Sequence, residues 1–143
     1  MSLAGVFDIA ATGMSAQTVR LNTTASNLAN AQTVAGSAEQ AYRARRPVFE
    51  AVPLQQSHAQ HLGAAQQPFG VMIRQIIESD AAPMQIYEPN HPMANEEGYV
   101  FHSNVNSVEE MADMISASRS YQMNVEMMNT TKSMMQRLLS LGN

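Results

Sequence analysis

Both ends of the chain carry a heptad, and little else in the sequence limits its fold so tightly. At the N-terminal end Ala4, Phe7, Ala11, Met14, Thr18, Leu21, Ala25 and Leu28 follow one another at spacings of three and four residues. At the C-terminal end Met111, Met114, Ser118, Tyr121, Val125, Met128, Lys132, Met135 and Leu139 do the same. Such spacing puts one residue per turn on a single seam, as two helices lying side by side require. The expected fold is mainly α with a small β-rich insertion. Its long N- and C-terminal helices are expected to pair as an antiparallel-type coiled coil or bundle. Three segments follow: an N-terminal assembly helix (1–36), an extended, β-rich central insertion (37–103) and a C-terminal assembly helix (104–143).

Charge separates these helices from ordinary amphipathic ones. Between Ile9 and Ala38 the only charged residue is Arg20. A helix with one wet face normally carries charge on it. Here the remaining positions are Ser15, Gln17, Asn22, Thr23, Ser26, Asn27, Asn30 and alanines, small or neutral groups that allow close backbone approach. From Met114 to Asn143 only Arg119, Glu126, Lys132 and Arg137 are charged. Seven of the 12 methionines fall between Met111 and Met135, a flexible side chain suited to irregular packing or to several partners. Both helices read as surrounded by protein on most sides, and 143 residues do not supply that much protein. Self-assembly or co-assembly is the expectation, with one or both termini partly disordered in dilute solution and ordering on assembly.

Helix limits are legible. Asn27 and Asn30 lower helix propensity, and Asn tolerates the left-handed conformation of a helix end. Gln32 to Gly36 reads as an irregular continuation. Asn104 and Ser107 are N-cap candidates, and Ser107 with Glu110 fits a capping box. Glu109, Glu110 and Asp113 suit the positive end of the helix dipole, and Gly142 is the expected stop. In the middle, residues 42–54 suggest an extended segment interrupted by Pro47, and residues 55–67 a Gln-rich loop. Strands are expected at 69–79, 84–88 and 98–101, with a turn at Pro89–Pro92.

Composition narrows function. A net charge of −4 with eight basic residues gives no nucleic-acid footprint. No run approaches the ~18 apolar residues of a membrane span, and the N-terminus has no basic start or apolar core of a cleaved secretion signal. With no cysteine, disulfides and thiolate metal sites are excluded. His58 and His61 share a helix-like spacing but have no third ligand at persuasive distance, and His91 and His102 lie elsewhere. Glu96 and Glu97 are adjacent, so on an extended segment they point to opposite faces. Arg43, Arg45 and Arg46 form a small patch of the kind that makes ion pairs. No Gly-rich phosphate loop or nucleophile elbow is present. No catalytic residue, metal, cofactor or small-molecule substrate is expected.

Against this background the segment Ser26-Asn-Leu-Ala-Asn-Ala-Gln-Thr33 resembles the Asn-rich signature of bacterial flagellar rod, hook and hook-associated proteins. The likeness continues through Phe7-Asp-Ile-Ala, Ala16-Gln, Arg20-Leu-Asn, Tyr42-Arg-Ala-Arg45, Tyr87-Glu-Pro-Asn-His-Pro92, Gly98-Tyr-Val and Asn104-Val-Asn106. Ala117-Ser-Arg-Ser-Tyr-Gln-Met-Asn-Val-Glu126, Lys132-Ser-Met-Met135 and the final Leu-Gly complete it. The match spans nearly the whole chain and is nearest to the proximal rod proteins. Ser103 departs from it, standing where that group often has Pro, and residues 55–67 match least.

The resemblance implies a structural subunit of the flagellar basal-body rod, self- and co-assembling through its terminal helices to transmit torque in the periplasm. It implies export through the flagellar type III apparatus without a cleaved signal. Partners implied are other rod proteins, the adaptor joining rod to membrane ring, and further copies of the chain. The assembly interface then falls on Phe7, Met14, Leu21, Asn27, Leu28, Asn30, Met111, Met114, Arg119, Tyr121, Asn124, Val125, Met128, Met135 and Leu139. An alternative is a non-enzymatic helical adaptor that holds one partner in its Met-rich groove; it leaves the uncharged N-terminal helix unexplained. A metal-dependent enzyme using His58 and His61 is a third, and it alone requires those histidines for function.

Overall fold

A computed structural model of the chain describes residues 3–54 and 68–141. The reading of 55–67 as a loop, the His58/His61 pair and the Gly142 stop all lie outside the described residues. Helix α1 spans Leu3–Asn30; its alanines and leucines with Met14, Gln17 and Arg20 favour a helix, against glycines, asparagines and β-branched residues that do not. Its C-terminal carbonyls are satisfied locally. Ala31 N–H reaches Leu28 C=O at 3.3 Å, and Thr33 gives Asn30 C=O both its N–H (3.2 Å) and its hydroxyl (2.7 Å). Where an irregular continuation is expected, strand β1 (Val34–Ala35) forms instead. The reason is a partner far along the chain.

That partner is β5 (Tyr99–His102), which lies between β1 and β4 (Met84–Tyr87) in a three-stranded antiparallel sheet. Val34 stands opposite His102, and Met84 to Tyr87 stand opposite His102 to Tyr99. Tyr87 and Tyr99, directly opposed, meet edge to face with centroids 5.2 Å apart, a favourable cross-strand pair. The connection between β4 and β5 folds on Asn95, whose Oδ1 accepts from Glu97 N–H (3.1 Å) and Tyr99 N–H (2.8 Å). Gly98 closes it at φ +81°, a conformation that favours glycine.

Strands β2 (Arg45–Pro53) and β3 (Phe69–Glu78) make a separate two-stranded ribbon. Leu54 N–H donates to Pro68 C=O at 2.9 Å, and Ser79 N–H to Ala44 C=O at 2.8 Å, so the strands run antiparallel. From Ala44 to Leu54 is ten steps but from Pro68 to Ser79 eleven, which requires a one-residue bulge on the β3 side. Pro47 does not interrupt β2, contrary to the sequence reading. In this alternation residue 47 faces the free edge of the ribbon, where a missing N–H costs no ladder bond.

Helix α2 spans Ser107–Leu141. Its N-cap is Asn106, not Asn104 or Ser107: Asn106 Oδ1 accepts from Val108 N–H (3.1 Å) and Glu109 N–H (3.4 Å). Asn104 is spent elsewhere, accepting from Ala44 N–H and donating to Ala81 C=O, each at 2.7 Å.

The chain divides into two compact units. One gathers Met1–Val19, Val48–Gln75 and Ala117–Asn143, the other Arg20–Pro47 and Ile76–Ser116. The first buries Ala10, Ala16, Ala117 and Thr131. In the second Ala35, Ala41, Ala44, Val100, Thr23, Thr24, Asn27, Ser103 and Glu110 are buried. Among the described residues the largest side chains buried completely are only Val100 and Asn27.

Neither heptad is the inward line of its helix. On α1 the residues Ala4, Phe7, Ala11, Thr18 and Ala25 are exposed, joined by Ser15, Asn22 and Ala29 at the same three-and-four spacing. That stripe faces outward. Buried positions are Gly5, Ala10, Ala16, Thr23, Thr24 and Asn27, while Met14, Leu21 and Leu28 are half-buried at the margin. On α2 the inward line is Glu110, Met114, Ala117, Asn124, Met128, Thr131 and Met135. Met111, Lys132 and Leu139 of the expected seam lie outside it, exposed. Small residues won the inward positions because close approach of backbone needs little side chain.

Candidate functional site

No cluster of reactive groups among the described residues organises the fold. Among the described residues no three His, Asp or Glu side chains are placed to hold a metal ion, and no helix is long and apolar enough to cross a membrane. What the residues build are clamps that fix the strands, and faces that the clamps leave open.

In the second unit the clamp is Asn27, 1% exposed. Its Nδ2 donates to Arg45 C=O at 2.8 Å, and its Oδ1 accepts from Arg45 N–H at 2.9 Å and from the Tyr42 hydroxyl at 3.0 Å. A helix side chain thereby completes the free edge of β2 as a third strand would. The Arg45 guanidinium, over the Tyr42 ring at 5.7 Å, also reaches Glu78 Oε1 at 3.1 Å. Arg46 meets Glu109 at 2.9 Å and Arg20 meets Asp113 at 2.7 Å. The hydrogen bond to Glu109 pushes the Arg46 guanidinium above its ordinary value; partial burial opposes this, and the charges of Glu109, Glu110 and Asp113 add to it. The basic patch is thus mostly used up in ion pairs within the unit.

In the first unit Thr12 plays the corresponding part. Its hydroxyl donates to Ile9 C=O at 2.8 Å and accepts from Val71 N–H at 3.2 Å, occupying the free edge of β3. Gly70 makes this possible: a Cβ there would stand 2.9 Å from Thr12 Oγ1 and 2.8 Å from Leu54 Cδ2. The two helices meet in this unit at Gly13, where a Cβ would lie 2.9 Å from Asn124 Nδ2.

The residues expected at an assembly interface fall into three groups. Asn27 is consumed inside the chain as described, and Asn30 Nδ2 bonds back to Ser26 C=O at 2.8 Å. Half-buried are Met14, Leu21, Leu28, Met114, Asn124, Val125, Met128 and Met135. Phe7, Met111, Arg119, Tyr121 and Leu139 are exposed. Sequence reading missed Thr12 and Gly70 and gave Asn104 the role of a cap. Each bonds or admits backbone distant in sequence, and only Asn104, within the Asn104-Val-Asn106 piece, carried a signal.

The two helical regions are also where family models match. "Flagella basal body rod protein" covers residues 7–36, and "Flagellar basal body rod FlgEFG protein C-terminal" covers residues 96–141. The chain is 48% identical over 144 residues to the flagellar basal-body rod protein FlgC of Escherichia coli O157:H7, covering 99% of each. Its identity to FlgC of Yersinia enterocolitica is 46%, covering 99% of each, and to FlgC of Bacillus subtilis 33%, covering 94% of this chain and 95% of that one. The chain belongs to the flagellar basal-body rod protein family. As a member of that family it is a structural subunit of the rod, and its relatives are rod proteins by name. Asn27 lies within the first matched segment, and there it holds the subunit's own strand.

Proposed function

We propose that this rod subunit assembles through the faces its terminal helices leave open, with α1 and α2 lying antiparallel within the subunit. The pairing is supported separately in each unit, by Gly13 against Asn124 and by Arg20 against Asp113. In this reading residues 1–36 and 104–143 are the assembly segments and 37–103 the insertion between them. The outward interface comprises Phe7, Met111, Arg119, Tyr121 and Leu139, flanked by Met14, Leu21, Leu28, Met114, Val125, Met128 and Met135. Asn27, Asn30 and Asn124 act on it from within, by fixing local geometry. The role is mechanical and not enzymatic: torque passes through helix packing in the periplasmic rod. Partners are other rod proteins, the adaptor to the membrane ring and copies of the chain, reached after type III export without a cleaved signal.

One observation carries this. Among the described residues nearly half of the large apolar side chains are exposed and only Val100 is fully buried, while most buried positions go to alanine and threonine, unlike a self-sufficient domain. Such a chain gains its main hydrophobic stabilisation on association. Circular dichroism and sedimentation against concentration, alone and with other rod proteins, test the proposal. Helix content and mass that rise together support it; a concentration-independent monomer with full helix content overturns it.

A further inference from the structure

The β2–β3 ribbon carries apolar residues on both faces, and one of those faces is left open. Alternate residues of a strand point to opposite faces, and contacts place the even-numbered positions of β2 on the same face as Gly70 and Arg74 of β3. Gly70 is packed against Thr12 and Leu54, and Arg74 reaches Glu50 at 4.0 Å. That face holds the charges and the attachment to α1, together with half-buried Val48, Val52 and Leu54 and exposed Met72. The odd-numbered face holds Phe49, Ala51 and Pro53 of β2 with Phe69 and Val71 of β3, all exposed and none charged. Antiparallel sheets normally put the apolar face on the core and the polar face in water. A two-stranded ribbon is also marginal by itself, so an exposed apolar face adds a further cost unless something covers it.

A matching face exists in the same unit. Met123, Met127, Thr130, Met134 and Leu138 of α2 recur at spacings of three and four on one side of the helix, all exposed. Met123 is 63% exposed and Leu138 59%, against 55% for Phe69. Each face offers on the order of 400 Å² of apolar surface, about the apolar share of one side of a standard interface. Methionine adapts to aromatic and β-branched neighbours without a fixed register.

We infer that the apolar face of the β2–β3 ribbon is a second assembly surface, occupied by the Met123–Leu138 face of α2 from a second copy of this chain. The inference rests on the rod reading and adds the ribbon to the helices. Ribbon and helix face are different residue sets, so the contact is head to tail, and such contacts propagate into open helical arrays unless a ring closes. A subunit carrying both faces adds to either end of a growing stack.

The absence of cysteine makes the test direct. Val71→Cys and Met127→Cys full-length variants are prepared singly, shown to keep the wild-type circular dichroism spectrum, and treated with a short bis-maleimide separately and mixed. Cross-linked dimer at least about fivefold above either variant alone, with a ladder of higher species from the double variant, is the expected result. Equal cross-linking of Val71→Cys chains to each other overturns it in favour of a face-to-face dimer. Preferential capture of Val71→Cys by another rod protein added to the mixture overturns the choice of occupant. A chain that sediments as a polymer without the mixed cross-link removes the ribbon contact and leaves the rod reading standing. A chain that stays monomeric without any cross-link removes both.

Discussion

Asn27 holds the main chain of Arg45 from both sides, donating to its C=O at 2.8 Å and accepting from its N–H at 2.9 Å. No other side chain in the described structure that is buried so completely has as much bonding capacity. Replacement by Ala leaves the Arg45 peptide groups and the Tyr42 hydroxyl short of partners. The expected loss is about 2–4 kcal/mol, read as a lower denaturation midpoint with unchanged slope.

Asn27→Asp keeps the acceptor and turns the donor into an oxygen facing Arg45 C=O. The introduced carboxyl is disfavoured as a charge in the folded state, so its folded pKa rises above the unfolded value of about 3.9. The penalty is absent below that value and grows as pH climbs from it through the raised one. Melting scans at pH 4 and pH 7 should find the variant closer to wild type at pH 4; the opposite order refutes the account.

Gly98 combines φ +81° with a Cβ position only 2.8 Å from the Tyr87 ring and 3.2 Å from Pro89 Cβ. Gly98→Ala should cost about 1–3 kcal/mol. Because Tyr87 lies on β4, near-ultraviolet circular dichroism of the tyrosines should change with it.

The ion pairs of the second unit should matter little. Arg20 and Asp113 are 28% and 38% exposed at their side chains, and a double-mutant cycle should return about 0.2–1 kcal/mol after screening by solvent. For Arg46 the hydrogen bond to Glu109 raises the folded pKa above the ordinary guanidinium value, so its contribution is complete below that ordinary value and is lost only above it. Stability measured from pH 7 to pH 10 should show no loss traceable to Arg46, whereas 1 M salt should weaken its pair with Glu109.

Thr12→Val keeps shape and loses the acceptor for Val71 N–H. Hydrogen exchange at Val71 should accelerate while that at Val100, in the other unit, stays as in wild type.

The helices, the strands and the family likeness were legible because they are written in local periodicity and in short motifs. What escaped was which side of each helix faces inward. Ala4, Phe7, Ala11, Thr18 and Ala25 carry as regular a heptad as any core seam, yet they point out. Sequence periodicity finds a stripe without saying whether the stripe meets its own chain or another one. The two-residue β1 escaped for a different reason: its partner His102 lies 68 positions away from Val34. Asn104 looked like a cap because local rules rank Asn highly there, and nothing local reveals that Ala44 and Ala81 claim it first.

Both clamps hold the ribbon by its peptide groups, with two side-chain conditions: the Tyr42 hydroxyl on Asn27 and the bare Cα of Gly70 beside Thr12. Asn27 binds the N–H and C=O of residue 45, and Thr12 binds the N–H of residue 71. Any residue but proline presents the same N–H. Apart from Gly70, the attachment of the ribbon is therefore insulated from the residues displayed on it, so its outward face is free to diverge and meet new neighbours while its seat on α1 remains the same.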